Sequence, residues 1–461
     1  MSSAPTPIEE HGLRAKLTAG QMAMVAVGGS IGTGLLLGSA PAIQLTGPSV
    51  ILSFMLAAFI AWTTTLAIGE LASSHPAAGS WGVYADLYLN DWAGFLSRAG
   101  YWAGVAISIG AEMVAAAAYM RYWFPAVPPL VWAAGFSAVL LGTNFLGVHQ
   151  YGRFEFWFAM IKVVTIAAFV LLGAALLLGH RIPSHYNAEG GFFPQGMLAP
   201  LLAMTFAIYT FGGVEFVAVT SGESRSPRDV AKAVRITFVM LTLLYLGSMA
   251  VLVGVMPWNT AAVSESPFVT VFRTVQIPGA GPLMNFVVLT AALSGANAAL
   301  YICSRMLFSM ARTGWAPARL GHLNRKGSPD AAVLVSAFGI VVAILLVSFA
   351  PARAFEYTLR AGFFGMMLSW VASLAAHISF RARLTPAQAD SLLFRSPLKG
   401  YGSLVGLTVV SLIILKGWYD SRVNLVSALA YLVVLNAAYF FFKAGKKSRP
   451  LVDASRVGSS T

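Results

Sequence analysis

Long apolar segments, separated by short polar links, recur along the whole chain and limit its fold more than any other sequence feature. A helix needs roughly twenty apolar residues to cross a bilayer, and every backbone N–H and C=O in hydrocarbon must find a partner. The pattern therefore predicts membrane-spanning helices. The twelve predicted spans lie near residue 31, over residues 55–67, 95–119, 130–146 and 156–178, near residue 211, and over residues 236–255, 283–310, 331–349, 355–378, 405–415 and 425–442.

The composition agrees with a membrane protein. Hydrophobic residues make up 57% of the 461 residues and charged residues only 10%, which is too apolar for an ordinary soluble domain. The net charge of +13 could indicate a nucleic-acid partner, but the Lys and Arg residues form short clusters between apolar segments. We therefore predict an all-α polytopic protein in a lipid bilayer, with no nucleic-acid partner.

The positions of the cations predict the orientation. Lys and Arg concentrate in the even-numbered connections, for example at Arg225, Arg228 and Lys232, and near both ends of the chain. Cytoplasmic loops carry such an excess of cations. We expect a plasma (inner) membrane protein with both termini cytoplasmic, a tail over residues 1–19 before the spans and another over residues 444–461 after them.

Several classes of site are not expected. The single cysteine, Cys303, lies in an apolar segment, and no cluster of His, Cys and carboxylate residues has the spacing of a metal site. His75, in the link after the second span, is expected at the surface. No span pairs a nucleophile with a base. The sequence therefore predicts no enzyme activity, no catalytic residues, no metal and no cofactor.

The first span is interrupted by glycines in the stretch Val27-Gly28-Gly29-Ser30-Ile31-Gly32-Thr33-Gly34. Glycine costs roughly 1 kcal/mol relative to alanine inside a helix. If the helix breaks here, its second part begins with free N–H groups and a positive dipole end, which suits a carboxylate. The alternative is that these glycines only allow neighbouring helices to pack closely.

The sixth span has a matching interruption, Tyr209-Thr210-Phe211-Gly212-Gly213-Val214-Glu215. Two interrupted spans at corresponding positions of two halves indicate an inverted-repeat transporter. We predict repeats over residues 20–180 and 197–380, followed by two added helices over residues 399–443. N–H groups of the breaks would hold a substrate carboxylate and carbonyls its ammonium. The candidate substrate-binding residues are Gly29, Ser30, Ile31, Gly32, Thr33 and Gly34 in the first break and Tyr209, Thr210, Phe211, Gly212 and Gly213 in the second.

Three charged residues within spans are candidates for proton coupling, because charges in a membrane are costly and usually functional. They are Glu112 in the third span, Lys162 in the fifth and Glu215 after the second break. Lys162 either extends its stem to the interface or faces the bundle interior, where it could gain and lose a proton. Glu112 must be paired, protonated or in contact with water, and a structural role remains open.

Several motifs together resemble the amino acid, polyamine and organocation (APC) superfamily, and within it the bacterial amino acid permeases. They are Gly28-Gly29-Ser30-Ile31-Gly32-Thr33-Gly34-Leu35, Gly69-Glu70 with Pro76-Ala77-Ala78-Gly79-Ser80, Glu155-Phe156-Trp157-Phe158-Ala159-Met160-Ile161-Lys162-Val163, Phe211-Gly212-Gly213-Val214-Glu215, and Ser304-Arg305-Met306-Leu307-Phe308. The resemblance covers nearly the whole chain.

The resemblance implies a LeuT-like fold of five plus five inverted helices with two added, with helices 1 and 6 broken. It implies proton-driven uptake of amino acids by alternating access. Main-chain N–H groups of Gly32, Thr33 and Gly34 would bind the substrate carboxylate, and backbone near Ser30 and at residues 209–212 its ammonium. Lys162 would take the place where sodium-coupled relatives hold a cation.

We therefore expect a secondary transporter that imports amino acids by proton symport. The rings of Tyr209, Phe211 and Phe216 favour neutral side chains, with aromatic and branched amino acids among the candidates. The alternatives are an exchanger without obligatory proton coupling and a non-transporting amino acid sensor of the same fold. The sequence leaves open the particular amino acid, the proton stoichiometry, the oligomeric state and the conformation.

Overall fold

The chain is helical through most of the part that the computed structural model describes, which comprises residues 17–76, 80–145, 148–187, 190–261, 266–274, 279–349, 354–420 and 422–445. Within these residues there is no β-strand, and the only extended pairing is an isolated bridge between Leu17 and Ser224. The predicted tails over residues 1–19 and 444–461 lie almost entirely outside the described residues.

The first five spans are built from eight helices. In chain order these are α1 (Ala19–Ser30), α2 (Thr33–Leu36), α3 (Ser39–Thr46), α4 (Val50–Ser74), α5 (Ser80–Tyr88), α6 (Asp91–Met120), α7 (Pro129–Asn144) and α8 (Val148–Leu178). Local sequence sets several of their ends. Thr18 forms a capping box with Gln21 at the start of α1, the Asn90 side chain caps α6, and Pro129 opens α7, as side-chain acceptors and N-terminal prolines commonly do. The short α5 lies in the link between the second and third spans.

The remaining spans follow the same plan. Their helices are α9 (Ala199–Leu202), α10 (Met204–Thr210), α11 (Phe216–Thr220), α12 (Pro227–Val255), α13 (Pro267–Thr274), α14 (Ala280–Arg312), α15 (Asp330–Ser336), α16 (Phe338–Phe349), α17 (Ala354–Arg383), α18 (Pro386–Ser391), α19 (Lys399–Asp420) and α20 (Arg422–Gly445). Ser226 caps α12 by accepting a hydrogen bond from the Asp229 N–H, and Pro227 is its first residue.

The prediction of twelve spans is confirmed. Eight helical stretches of the described chain are long and apolar enough to cross a membrane, and two further apolar helices, Pro129–Asn144 and Asp330–Val342, are shorter. The other two spans are the interrupted ones, formed by α1 with α2 and by α10 with α11; α2 also opens the first of the eight stretches, Thr33–Ser74, whose long helix is α4. The chain is therefore a multi-pass membrane protein.

The ninth span is helical over the predicted residues 331–349 except at Ala337. The structure divides it into α15 and α16 at Ala337. Just beyond this point Gly339 lies against the backbone of α6, where a Cβ would collide with the carbonyl of Ala106. Close contact with α6 accounts for the glycine at this position.

The interrupted helix α1 lies in the interior of the bundle. It packs against α8, α12 and α14, and α6 packs against α14, α16 and α17. Met22, Val25 and Val27 of α1 have no exposed surface. The last helix, α20, lies at the outside of the bundle, since Val433 and Phe441 are 67% and 75% exposed. Apolar side chains on that face suit contact with hydrocarbon. A polar site is therefore expected in the interior of the bundle, beside α1.

His75 is not at the surface, so the prediction for this residue was wrong. Its side chain is 2% exposed, its Nε2 lies 2.6 Å from the Tyr88 hydroxyl, and its ring packs against Phe380. Burial lowers the pKa of His75. The short α5 folds back over the end of α4 and carries Tyr88 onto the histidine, a tertiary contact that the local sequence does not reveal.

Buried ion pairs tie the helices together at one end of the bundle. Arg305 of α14 pairs with Glu223, which follows α11, at 3.2 Å. Arg381 of α17 pairs with Glu70 of α4 at 2.5 Å. The Glu223 backbone carbonyl also accepts a hydrogen bond from the Leu17 N–H. These contacts connect both interrupted spans to their neighbours at the end where Leu17 lies.

Candidate functional site

The first break lies where the glycines predicted it. Helix α1 ends at Ser30 and α2 begins at Thr33, so that Ile31 and Gly32 are not helical. Gly32 has φ −128° and ψ −155°, an extended conformation. The Ser30 hydroxyl turns back and donates to the Ala26 carbonyl at 2.8 Å. Because α2 begins anew at Thr33, the N–H groups of its first turn have no partners within that helix.

The second break faces the first one directly. Helix α10 ends at Thr210 and α11 begins at Phe216. Between them Gly213 has φ +103°, a conformation that side chains rarely allow. A Cβ built on Gly213 would lie 2.5 Å from the Ser30 Oγ and 2.9 Å from the Ser30 backbone nitrogen. The two breaks are therefore in backbone contact, which only glycine permits at this position.

A cavity lies where the two breaks meet α6, α14 and α17. Its lining is rich in glycine, which exposes backbone, and its charged members among the described residues are both carboxylates. The lining residues are Gly29, Ser30, Gly32, Gly34, Tyr101, Val105, Ser108, Glu112, Tyr209, Gly212, Gly213, Glu215, Phe216, Gly295, Ala299, Gly362 and Met366. Nine of the predicted site residues contribute to this one cavity.

Glu112 reaches from α6 to the first break. Its Oε1 accepts hydrogen bonds from the Thr33 hydroxyl at 2.9 Å and the Thr33 N–H at 3.3 Å. A Cβ on Gly32 would lie 2.8 Å from the same oxygen, so the carboxylate touches the unwound backbone. Glu112 is thus a direct partner of the first break.

Lys162 faces the bundle interior and is completely buried. Its ammonium donates to the Gly28 carbonyl, to the Ile31 carbonyl at 2.8 Å and to the Ala291 carbonyl on α14 at 3.5 Å. Unwinding at Ile31 frees the Gly28 and Ile31 carbonyls from the helical pattern, and the ammonium donates to both. Of the two orientations left open by the sequence, the structure has the interior one.

Glu155 lies seven residues before Lys162 on the same helix and is also completely buried. Its carboxylate accepts from the Ser294 hydroxyl at 2.5 Å and from the Asn297 side-chain amide at 3.1 Å, both on α14. A Cβ on Gly28 would collide with the same carboxylate. The Glu155 and Lys162 side chains thus connect α8 to α14 and to the first break.

Glu215 lies at the second break and is 1% exposed. Its carboxylate accepts from the Tyr101 hydroxyl at 2.7 Å, from the Gly213 N–H at 3.1 Å and from the Trp370 indole N–H at 3.3 Å. Three donors from three segments fix this carboxylate, which in turn orients Gly213. The Glu215 carboxylate thereby helps to hold the backbone conformation of the second break.

Of the other predicted residues of the second break, Tyr209 and Thr210 lie toward the cavity or the first break, whereas Phe211 does not. Tyr209 lines the cavity, and the Thr210 hydroxyl, which donates to the Phe206 carbonyl of its own helix at 2.9 Å, lies 3.3 Å from the Gly34 carbonyl beside the first break. Phe211 points elsewhere, packing against the Tyr245 ring with centroids 4.9 Å apart. The aromatic surface of the cavity therefore comes from Tyr209, Phe216 and Tyr101.

Three side chains that bond around the breaks were not among the candidate site residues. Glu155 carried a usable signal, because a spacing of seven residues places it two turns from Lys162 on one helix face. Tyr101 and Trp370, the partners of Glu215, carried none. Both lie in long apolar helices where an aromatic residue is ordinary, and only the packing of α6 and α17 against the second break brings them to it.

Comparison with known proteins agrees with this architecture. The sequence model of the amino acid permease family matches residues 21–447. The chain is 35% identical to the uncharacterized amino acid permease YtnA of Bacillus subtilis over 430 residues, 91% of this chain and 93% of that protein. It is 34% identical to a gamma-aminobutyric acid permease of Bacillus subtilis, with 87% of each chain covered. It is also 34% identical to the aromatic amino acid transport protein AroP of Escherichia coli strain K12, over 94% of this chain and 97% of that protein.

The family model thus matches the chain from before the first predicted span to beyond the last one. The family has a LeuT-like fold of twelve transmembrane helices, so the predicted fold and the predicted family are both confirmed. The relatives are transporters, in keeping with the prediction that the chain is not an enzyme. On its sequence, its interrupted helices and the cavity between them, this chain belongs to the amino acid permease family.

Proposed function

We propose that this permease imports neutral amino acids together with protons by alternating access. The observation that carries the proposal is the position of Lys162, whose ammonium joins the carbonyls of Gly28 and Ile31 at the first break to Ala291 on α14. A protonated amine has three N–H donors. Loss of the proton removes one donor and the charge, and weakens the connection between α1 and α14. A proton at Lys162 thereby controls how firmly the first break is held against α14.

The two breaks supply the proposed substrate site. N–H groups of Gly32, Thr33 and Gly34 would bind the carboxylate of the amino acid. Carbonyls near Ser30 and at residues 209–212 would bind its ammonium. The support is geometric, since the breaks are in contact at Gly213 and both open into one cavity.

The cavity lining supports a neutral side chain. Tyr101, Val105, Tyr209, Phe216 and Met366 offer apolar and aromatic surface. The carboxylates in the lining would repel an acidic substrate. The name of the Escherichia coli relative AroP is in keeping with aromatic amino acids as part of the substrate range.

The ionisable side chains near the two breaks support proton coupling. The described interior around the breaks holds three carboxyl groups, Glu112, Glu155 and Glu215, and one amine, Lys162. An isolated charge is costly in such surroundings, so proton binding has a large effect on the forces between these helices. We propose Lys162 as the coupling residue, with Glu112 and Glu215 as the further proton-binding candidates.

The proposed location is the bacterial inner membrane with both termini cytoplasmic. The three relatives compared above come from bacteria. Cations are frequent in the links at the end of the bundle where Leu17 lies, as at Arg225, Arg228 and Lys232, and cytoplasmic links have this composition.

Uptake into liposomes tests the proposal. Purified protein is reconstituted, and accumulation of labelled L-phenylalanine, L-leucine and L-alanine is followed with and without an inward proton gradient. We expect gradient-driven accumulation in the wild type. Lys162→Met preserves most of the side-chain volume and removes the charge, and we expect it to abolish accumulation while binding persists. Lys326→Ala removes an exposed cation and serves as the control, with wild-type accumulation expected.

Three other results would contradict the proposal in different ways. Uptake that ignores the gradient but requires amino acid inside the liposome would identify an exchanger. Binding without any uptake would identify a sensor. Gradient-driven accumulation that survives in Lys162→Met would place proton coupling at another residue.

A further inference from the structure

Glu112 already occupies part of the proposed carboxylate site. Its Oε1 accepts from both the hydroxyl and the N–H of Thr33, at 2.9 and 3.3 Å, and lies against the backbone of Gly32. These are donors that an incoming carboxylate would need. A side-chain carboxylate of the protein is thus bound where the proposed site would bind the carboxylate of an amino acid.

The second oxygen of Glu112 is in a different situation. Among the described atoms, Oε2 is buried and has no hydrogen-bond partner. Across from it on α14 lies Gly295, where an added Cβ would be 3.5 Å from the carboxyl group. The carboxylate is therefore held through one oxygen only, beside a glycine that leaves room for it to move within the cavity that it lines.

The charged and titratable groups around Glu112 are few. Lys162 of α8 attracts its carboxylate. Tyr209 of α10 and Tyr119 of α6 interact with it electrostatically. The facing segment of α14 contributes Gly295 and no charge, and the first break contributes Thr33. Lys162 is thus the only cation among these neighbours, and it is already bound to backbone carbonyls of the first break.

We propose that Glu112 is an internal carboxylate that the substrate displaces, and that Glu112 takes up a proton as it leaves Thr33. This inference rests on the proposed function and names the step that couples substrate to proton. Two carboxylates cannot share the Thr33 donors as anions, because their charges repel at short range in a site of low dielectric. The ionised Glu112 carboxylate and one proton from water give a neutral carboxylic acid, with no other bond made or broken.

The neutral acid gains a function that the carboxylate lacks. A protonated carboxyl group has one O–H donor, which can donate to the carboxylate of the bound amino acid. Substrate binding would thus convert Glu112 from a competitor into a donor. The consequence is that protons favour binding and that each bound amino acid carries a proton with it.

Calorimetry on the purified protein tests this step with a pair of probes. L-Phenylalanine has the carboxylate, and 2-phenylethylamine retains the ring and the ammonium but lacks it. Titrations in buffers of different ionisation enthalpy, from about pH 5 to pH 8, give both Kd and the protons taken up. Above the pH at which Glu112 ionises we expect log Kd for L-phenylalanine to rise by about one unit per pH unit, with uptake of about one proton. 2-Phenylethylamine should bind without proton uptake.

Glu112→Gln mimics the protonated side chain and gives the second comparison. We expect it to bind L-phenylalanine with no proton uptake, with no pH dependence, and more tightly than the wild type at pH 8. Weaker binding at every pH would overturn the inference and assign Glu112 to the substrate ammonium. An unchanged pH slope in Glu112→Gln, or equal proton uptake with both probes in the wild type, would overturn it as well.

The two proposals can fail separately. If L-phenylalanine and L-alanine both fail to bind, the proposed function fails and this inference with it. If they bind and are transported but proton uptake is insensitive to Glu112, only the displacement step fails. The wild-type comparison of the two probes stands even if Glu112→Gln does not fold.

Discussion

Gly213→Ala is the substitution that most directly perturbs the contact between the two breaks. A methyl group at this position would lie 2.5 Å from the Ser30 Oγ, 2.9 Å from the Ser30 nitrogen and 3.0 Å from its Cα. Two of these atoms are backbone, so they cannot rotate away. The residue also has φ +103°. The alanine must therefore strain its own backbone and push the first break away from the second.

The expected cost follows from these two effects. A residue held in a sparsely populated backbone region costs about 1–3 kcal/mol. Overpacking of a tightly packed interior by one methyl group costs about 1–3 kcal/mol. We therefore expect Gly213→Ala to lower the free energy of unfolding by about 2–6 kcal/mol and to abolish amino acid binding, because the cavity is formed by both breaks.

Gly196→Ala is the matched control. Gly196 has a similar φ of +90°, but nothing lies within 4 Å of its Cβ position. It shares the backbone strain and lacks the collision, so the difference between the variants isolates the contact with Ser30. Thermal unfolding in detergent and binding of L-phenylalanine are compared for both. If Gly213→Ala unfolds and binds as Gly196→Ala does, the two breaks are not in contact and the site is incorrect.

Two further predictions concern the end of the bundle where Leu17 lies. Arg305→Leu leaves Glu223 buried without its cation, and breaking such a pair from one side costs about 3–5 kcal/mol; thermal unfolding should show this loss, and a double variant with Glu223→Leu should recover part of it. An unchanged unfolding temperature in Arg305→Leu would show that the pair contributes no stability. Burial lowers the pKa of His75, so the folded chain binds a proton there less readily than the unfolded chain and loses stability as the pH falls below the unfolded value of about 6.5. His75→Phe should reduce this acid loss between about pH 7 and pH 5, and an identical pH profile in the two proteins would argue against it.

The sequence predicts the spans and the breaks because both depend on local chemistry. A bilayer requires about twenty apolar residues in a row, which the chain provides repeatedly. Glycines that interrupt such a run, as at Gly32 and Gly213, indicate where the backbone departs from a helix. Lys162 could be singled out because an amine in an apolar helix needs a partner.

Long-range partners could not be predicted in the same way. Glu155 bonds to Ser294 and Asn297 on α14, more than a hundred residues away. His75 is buried because α5 folds back over it. Nothing in a single sequence fixes which faces of α5, α8 and α14 meet. The hydrogen bonds from Thr33 to Glu112 likewise depend on the packing of α6 against the first break.

A transport current tests the central claim most directly. A neutral amino acid is a zwitterion without net charge, so its symport with a proton moves one positive charge, whereas exchange of neutral amino acids moves none. Reconstituted protein is exposed to a concentration jump of L-phenylalanine at equal pH on both sides, and the current is recorded on a supported membrane. We predict an inward positive current in the wild type and none in Lys162→Met. Uptake of the labelled amino acid without any current in the wild type would contradict proton symport.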